Sequence, residues 1–374
     1  MTDPQEGHAA LVRSLDERGL LTPEWRAVWE RTPRQAYLPE QVWRQDPDRC
    51  RPVTTAEERG ALVSSDKPVV TQVDDGAADG PGVATSSNSM PSMVARMLGL
   101  LDVRDGQQVL EIGTATGHVA GLLSARLGDD RVTSVEIDAS LAAHAERYLS
   151  AAGYRPRLVV ADGEHGCPAG APYDRIIATC ALRHVPYALV QQLRPGGVLV
   201  APRMGDFWCG ALVRLTADEA TADEDGTASG SFAGSAAYMP MRSHRGTTGV
   251  TPDTSSPRSR STEVLPQETL TLGFALYAGA RLPDVTLIEG RTEGSQGTDP
   301  RVWVHDSRGS GAIADADGTV TEFGECSLWG DVEAVWREWD ELDRPTDADM
   351  GLTVTKTSER VWVRRPTGVM YPVE

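Results

Sequence analysis

The chain has 374 residues and a formal net charge of −18. This length favours two folded units joined by a linker, and the acidic excess excludes a nucleic-acid partner, whose phosphate backbone demands a basic surface. Neither a run of about 18 apolar residues nor a basic start followed by an apolar core is present, so we expect no membrane partner, no signal peptide and a cytoplasmic location. Five scattered cysteines without a C-x-x-C pair predict neither a disulfide framework nor a metal site.

The first 92 residues are predicted to form a helical region followed by a long loop. Apolar residues recur at helical spacing from Leu11 to Leu21, and Thr22 and Pro23 are typical of the start of a second helix. The polar stretch 46–85 is rich in Gly, Asp and Pro, which predicts a loop with at most a short strand at 68–70.

Strands and helices are predicted to alternate over residues 93–242. After a helix at 93–101, the predicted strands are 108–112, 132–136, 157–160, 173–178 and 198–201, and the predicted helices are 117–127, 140–151 and 185–193. Repeated units of this kind indicate an α/β fold with a mostly parallel, doubly wound sheet. Strands at 210–216 and 231–241, around an acidic turn at 223–226, predict that the sheet ends in an antiparallel hairpin.

The last part of the chain is predicted to be a flexible linker, 243–263, and an α+β domain, 264–374. The linker is crowded with Ser, Thr, Arg, Gly and Pro, which cannot bury enough apolar surface to become ordered alone. Beyond it, the predicted strands are 269–277, 301–305, 352–355 and 361–363, and a helix is predicted to open at 327–329.

The turn after the first strand of the alternating region predicts a ligand site. Gly113 and Gly117 allow the backbone to approach a ligand at the start of a helix, but the middle glycine of a dinucleotide-binding turn is missing. The carboxylate of Glu111 suits a ligand with an ammonium or sulfonium group. Glu136, ending the second strand, can accept both hydroxyls of a ribose, and Asp162, after the third, can pair with the adenine amine.

Together these three acids predict S-adenosylmethionine as the ligand. Taken singly, each would more often be a helix cap or a surface carboxylate. Three acids at the carboxyl ends of successive strands favour a ligand, because open α/β sheets bind ligands at that edge.

The sequence resembles the protein-L-isoaspartate O-methyltransferases from about residue 11 to residue 241. The resemblance is carried by TPRQAYLPE, SNSMPSMVARML, VLEIGTATGHVAGLLSARLG, VTSVEID, ADGEHG and YDRIIATCALRHVPYALVQQLRPGGVLVAP. It implies a Rossmann-like class I methyltransferase with an active-site loop before residue 93. The cofactor-binding residues implied by the pattern and the resemblance are Glu111, Gly113, Thr114, Ala115, Gly117, His118, Glu136, Ile137, Asp162, Gly163 and Thr179.

The same resemblance implies the acceptor side of the site. The family has a Thr-Ile-Ser-Gln-Pro element whose serine lies close to the carboxylate that receives the methyl group. Ser89 matches that serine and is the implied catalytic residue, while Ser87 and Asn88 are the implied substrate-positioning residues. Asn88 in place of Ile and Met90 in place of Gln depart from the element. Ser89 is alternatively a cap of the helix that begins near Pro91.

Methyl transfer to an ionised carboxylate needs alignment and little acid–base help. We therefore expect no His/Asp or Cys/His nucleophile system, and we expect Cys180 to line the pocket without reacting.

Three functions remain open from the sequence. The stretch LWGDVEAVWREWDELDRP followed by GLTVT is similar to the tail of actinobacterial methyltransferases that modify lanthipeptides and graspetides, which implies methylation of an aspartate in a macrocyclised peptide and collapse of the ester to an aspartimide. The C-terminal domain would then recognise the peptide. Repair of isoaspartate in damaged proteins is the alternative within the same chemistry, and a non-catalytic S-adenosylmethionine- and peptide-binding module is the alternative of another class.

Overall fold

The computed structural model describes residues 4–46, 49–218, 226–246, 254, 256–294, 297–367 and 370–373. The chain divides into two units. The first consists of Met1–Ala181, Pro186–Ala201 and Thr216–Thr221, and the second consists of Leu182–Val185, Pro202–Leu215 and Ala222–Glu374.

Two helices open the first unit, as predicted: α1 (Pro4–Glu17) and α2 (Pro23–Arg31). Thr22 begins α2, because its hydroxyl accepts a hydrogen bond from the backbone N–H of Trp25 at 3.3 Å.

The stretch predicted as a long loop contains a small sheet, of which only the strand at 68–70 was predicted. Its elements, with the strand just before them, are β1 (Trp43–Gln45), β2 (Cys50–Pro52), α3 (Ala56–Val63), β3 (Val69–Val73) and β4 (Ala84–Asn88). The strands lie in the order β2-β1-β3-β4, and β3 and β4 are antiparallel. A compact cluster that includes Val42, Val53 and Val69 stabilises the region. These apolar residues are too widely spaced in the sequence to produce a periodic pattern.

The predicted parallel sheet forms the centre of the first unit. Its elements and the helix before them are α4 (Pro91–Leu101), β5 (Val109–Ile112), α5 (His118–Leu127), β6 (Val132–Glu136), α6 (Ala139–Ala151), β7 (Arg157–Val160), β8 (Tyr173–Ala178), α7 (Tyr187–Gln191) and β9 (Leu193–Gly205). The strand order is β9-β8-β5-β6-β7, with parallel pairing throughout. Because β5 lies between β6 and β8, the chain changes direction across the sheet beside the end of β5, where open α/β sheets bind ligands.

The second unit combines two sets of antiparallel strands with helices. Its elements are β10 (Trp208–Ala217), β11 (Ala228–Ser235), β12 (Arg258–Ser261), α8 (Pro266–Thr269), α9 (Leu272–Arg281), β13 (Val285–Gly294), β14 (Gly297–Asp306), β15 (Gly311–Asp315), β16 (Thr319–Phe323), α10 (Leu328–Glu341), β17 (Met350–Val354), β18 (Glu359–Val363) and β19 (Met370–Val373). One set is ordered β19-β18-β17-β11-β10 and the other β12-β16-β15-β14-β13.

The predicted hairpin corresponds to β10 and β11. The N–H of Ala236 donates to the carbonyl of Gly210, and Gly230 lies against the carbonyl of Arg214, so the two strands run in opposite directions. The acidic turn predicted at 223–226 lies outside the described residues except for Gly226.

Two predictions for the end of the chain differ from the structure. The stretch 269–277 was expected as a strand but is mostly the helix α9, of which seven residues in ten are buried. When a short segment is buried on all sides, its residues are apolar throughout and show no periodicity. The sequence pattern then does not distinguish a helix from a strand. Within the predicted linker, 258–261 form β12, which pairs with β16, whereas 247–253 and 255 lie outside the described residues.

Candidate active site

The glycine turn, residues 113–117, connects β5 to α5. Gly113 has φ +95° and Gly117 has φ +81°, a conformation that favours glycine. A side chain at Gly117 would also meet Leu149 and Ala145 at 3.1 and 3.2 Å. The Thr179 hydroxyl, at the end of β8, donates to the carbonyl of Gly113 at 2.6 Å and fixes the start of the turn.

Glu111 lies under this turn and is 1% exposed. The Ser134 hydroxyl donates to Oε2 of Glu111 at 2.6 Å, and the Ser134 and Thr114 hydroxyls are 2.5 Å apart. Burial raises the pKa of Glu111 to about 8; the bond from Ser134 opposes that rise and the charge of Glu136 adds to it. The carboxyl group is therefore mostly protonated at neutral pH and is poised to ionise beside a cation.

Glu136 ends β6 and supports the same turn. Its Oε2 accepts from the backbone N–H of Ala115 at 2.8 Å, and its Oε1 accepts from the N–H of Asp138 at 3.0 Å. The next side chain, Ile137, is 38% exposed and leaves an apolar surface beside the acid.

Asp162 and Gly163 follow β7 at the same edge of the sheet. Oδ1 of Asp162 accepts from the N–H of Glu164 at 3.0 Å. All three predicted acids affect the pKa of the Cys180 thiol. Burial is the largest cause, and the negative charges of Glu136, Glu111 and Asp162 add to it, so that the pKa is raised to about 12. Cys180 is consequently a neutral thiol at neutral pH, and it is not among the residues that line the cavity described below.

The serine strand, residues 84–89, faces the glycine turn across a small cavity of about 30 Å³. The cavity is lined by Ser87, Asn88, Ser89, Val94, Glu111, Gly113, Thr114, Ala115, Thr116, His118, Val119 and Thr179. The predicted residues Gly117, Glu136, Ile137, Asp162 and Gly163 do not line it. Ligand pockets usually measure about 300–1,000 Å³, so this cavity is too small for a nucleoside and can take only a small part of a cofactor.

Asn88 is buried and hydrogen-bonded in the interior. Its side chain is 2% exposed, and both ends of the amide are bonded within the first unit, Oδ1 to Arg34 at 2.9 Å and Nδ2 to the Thr116 hydroxyl at 3.0 Å. The role of Asn88 in positioning a substrate therefore stays a prediction: the residue lines the cavity, while its amide bonds to Arg34 and Thr116 in the interior.

His118 lies at the start of α5 but faces the N-terminal helices. Its Nε2 bonds to the carbonyl of Thr32 at 3.1 Å, and its ring packs against Trp29 and Tyr37 at centroid distances of 5.6 and 5.1 Å. Burial, with the charge of Arg34 adding, lowers the pKa of His118 to about 3. The ring is thus neutral and packed, and because His118 also lines the cavity, its role in cofactor binding stays a prediction.

Three residues were not predicted: Arg34, Thr116 and Ser134. Arg34 lies in the quoted TPRQAYLPE motif, which was the available signal, but its contacts are 31 to 55 positions away in sequence. Thr116 and Ser134 stand inside the quoted motifs, and nothing in their spacing separates them from packing residues.

The fold and the site define a Rossmann-like methyltransferase. A family profile described as protein-L-isoaspartate(D-aspartate) O-methyltransferase matches residues 6–206, and the chain belongs to this family of S-adenosylmethionine-dependent methyltransferases. The chain is 41% identical over 116 residues to a protein-L-isoaspartate O-methyltransferase of Ignicoccus hospitalis, covering 30% of this chain and 55% of that one. It is 32% identical over 207 residues to protein-L-isoaspartate O-methyltransferase 1 of Rhodopseudomonas palustris, covering 55% of this chain and 72% of that one.

A solved structure of a protein-L-isoaspartate O-methyltransferase has the same fold over most of the chain. The two align over 96% of this chain and 100% of that one, with a TM-score of 0.56 and 18% identity. Because this alignment extends well beyond residue 241, the added length does not by itself separate this chain from isoaspartate methyltransferases. Among the described residues, no helix is both long and apolar enough to cross a bilayer.

Proposed function

We propose that the protein is an S-adenosylmethionine-dependent O-methyltransferase that esterifies an aspartyl-type carboxylate in a peptide chain. The observation that carries the proposal is the meeting of two elements at one cavity: the glycine turn with buried Glu111, and the serine strand with Ser89. When bound, S-adenosylmethionine supplies a methyl group that is transferred to the carboxylate oxygen, leaving S-adenosylhomocysteine.

The residues present fit this cofactor. Glu111 would hold the amino-acid end, because a buried carboxyl of raised pKa ionises readily beside an ammonium group. Glu136 would accept the ribose hydroxyls, Ile137 would cover the adenine ring, and Asp162 would accept from its amine. These groups follow one another along the strand ends, and the small cavity that Ser89 helps to line adjoins the turn that carries Thr114 and Ala115.

On the acceptor side the chain's own residues have to align an oxygen and exclude water. Ser89 would donate its hydroxyl to the acceptor carboxylate, and Val94 and Val119 supply apolar walls. No general base is needed, because a carboxylate is already ionised at neutral pH. Alignment at near-attack distance is the main source of rate acceleration available to such a site.

Our first candidate acceptor is an ordinary aspartate in a ribosomally made, macrocyclised peptide such as a lanthipeptide or graspetide. The departures at Asn88 and Met90 and the similarity of the tail support it. A constrained ring would hold the following backbone nitrogen near the methyl ester, so that methanol leaves and an aspartimide forms. The second unit would act as the peptide-recognition domain.

The second candidate acceptor is isoaspartate in damaged proteins. It is favoured by the family match over residues 6–206 and by the names of the relatives. The solved structure with the same fold over both units adds to it, because a second unit is then compatible with that activity. A module that binds the cofactor and a peptide without catalysis is the alternative of another class.

One experiment separates these functions. The protein and S-adenosylmethionine are incubated with three peptides of the same sequence: a linear isoaspartyl form, a linear aspartyl form and a macrocyclised aspartyl form. A mass gain of one CH₂ followed by loss of methanol, on the macrocycle alone, supports tailoring, and turnover of the isoaspartyl form alone supports repair. No mass change on any peptide, with S-adenosylhomocysteine still bound in calorimetry, would contradict catalysis and favour the binding module.

A further inference from the structure

We infer that Asn88 is a positioning residue that couples the cofactor-binding turn to the strand that carries Ser89. The inference deepens the proposed function and rests on it. The Asn88 amide bonds to Arg34 and Thr116, so the effect of Asn88 would be on where the serine strand lies.

The orientation of the Asn88 amide follows from its neighbours. Arg34 offers only donors, so the atom that faces its Nε must be the amide oxygen. The amide nitrogen consequently points to the Thr116 hydroxyl, which accepts at 3.0 Å. One side chain therefore joins Arg34, behind the serine strand, to Thr116, within the glycine turn.

Arg34 anchors the strand side of this bridge. Its guanidinium is 1% exposed and donates to the carbonyls of Asn88 at 3.1 Å and Ser89 at 3.4 Å. It also donates to the carbonyls of Ser65 at 3.2 Å and Lys67 at 3.0 Å. Burial lowers the pKa of Arg34 to about 10, so it remains a cation at neutral pH. A buried cation that loses one of its acceptors is strongly destabilised. Arg34 therefore holds the backbone at residues 65–67 and at residues 88–89 in one arrangement.

The turn side of the bridge leads to the proposed ribose acid. Glu136 accepts from the N–H of Ala115, and Ala115 is joined covalently to Thr116. Hydrogen bonds, with the backbone between Ala115 and Thr116, therefore connect Glu136 to Asn88, and Asn88 in turn to Arg34 and the carbonyl of Ser89. A ligand that engages Glu136 and orders the turn would also order the serine strand. Apolar side chains of similar size at position 88 could not carry this link, because they offer neither donor nor acceptor.

Hydrogen–deuterium exchange tests the coupling without knowledge of the acceptor. In the full chain, S-adenosylhomocysteine should slow exchange of the amides in residues 84–89 by about tenfold, an effect in the ordinary range of coupling between sites. Thr116→Val removes the hydroxyl at nearly constant shape and should abolish this protection while cofactor affinity changes by less than about threefold. Should that variant fail to fold, Thr116→Ala should give the same loss.

Two controls isolate the bridge. Thr116→Ser keeps the hydroxyl and should retain the protection. Thr71→Val removes a hydroxyl that donates to Ser86 on the same strand pair at 3.4 Å, away from the turn, and should also retain it. Protection that survives in Thr116→Val, or is lost equally in Thr71→Val, would overturn the inference. Failure of S-adenosylhomocysteine to bind the unmodified protein would overturn the proposed function as well, whereas binding without protection would overturn the coupling alone.

Activity gives a second readout once an acceptor is known. Thr116→Val should lower kcat by about tenfold and leave KM for S-adenosylmethionine nearly unchanged, because alignment and not binding is lost. Thr116→Ser should restore kcat. A purely structural role would instead lower the melting temperature of Thr116→Val and leave kcat intact.

Discussion

The backbone N–H of Ser92 donates a hydrogen bond to Oδ1 of Asp66 at 2.8 Å. Ser92 lies in the first turn of α4, so this carboxylate satisfies an N–H group that the helix itself cannot. Asp66 therefore caps the start of α4, a role that the sequence offered as the alternative for Ser89. Ser89 is among the residues that line the cavity.

We expect Ser89→Ala to lower activity and Asp66→Ala to lower stability. Ser89→Ala should lower methyl transfer by at least about tenfold, because a positioned donor to the acceptor is lost, with cofactor affinity and melting temperature nearly unchanged. Asp66→Ala should lower stability by about 1 kcal/mol through loss of the cap. Activity and thermal unfolding of both variants check the pair, and a lower melting temperature with full activity in Ser89→Ala would contradict the catalytic role.

Glu136→Ala should raise the dissociation constant for S-adenosylhomocysteine by at least about tenfold, or about 1.4 kcal/mol. The ribose hydroxyls would lose their acceptor and the turn would lose the bond to Ala115. Glu146→Ala, an exposed carboxylate on α6, is the matched control for the change in net charge and should bind normally. Calorimetry measures both variants, and equal affinities for Glu136→Ala and the unmodified protein would refute the assignment.

Binding of a cationic ligand should release a proton from Glu111. With a pKa of about 8, the free carboxyl is mostly protonated at about pH 6.5, and a nearby ammonium group favours its ionised form. The α-amino group of the ligand stays protonated at that pH. Calorimetry of S-adenosylhomocysteine binding in buffers of different ionisation enthalpy should therefore report release of up to one proton, and affinity should rise with pH towards about 8. Glu111→Gln should show no release, and identical heats in all buffers for the unmodified protein would contradict this role.

His118 should make stability depend on pH at acidic values. Its pKa is about 3 in the folded protein and 6.5 ordinarily, so between these values the unfolded chain binds more protons and stability falls as pH falls. The slope from this group is at most about 1.4 kcal/mol per pH unit. Denaturant unfolding of His118→Gln should show a flatter profile between about pH 6.5 and 4. An imidazole resonance of His118 that titrates near neutrality would contradict the buried, neutral state.

The parallel sheet and the positions of its acids could be predicted from the sequence. Each buried strand is a short apolar run, each crossover has helical periodicity, and parallel strands bring their carboxyl ends to one edge. Glu111, Glu136 and Asp162 consequently lie close enough to act together on the thiol of Cys180.

The bridge through Asn88 could not be predicted from the sequence. Arg34 and Asn88 are 54 positions apart, and neither residue type is expected in an interior, so only the folded arrangement reveals that they are partners. The helix α9 was missed for a related reason, because its burial comes from neighbours distant in sequence, such as Trp339, whose ring lies 5.5 Å from that of Phe274.

The pairing of β11 with β17 has a consequence for shortening the chain. Residues 228–231 pair with 351–354, on opposite sides of the predicted linker. A protein truncated at residue 243 would therefore present β11 as an unpaired strand edge, a template for association with other copies. We expect such a truncated protein to lose solubility. The contribution of each unit to activity is therefore better measured with substitutions than with truncated chains.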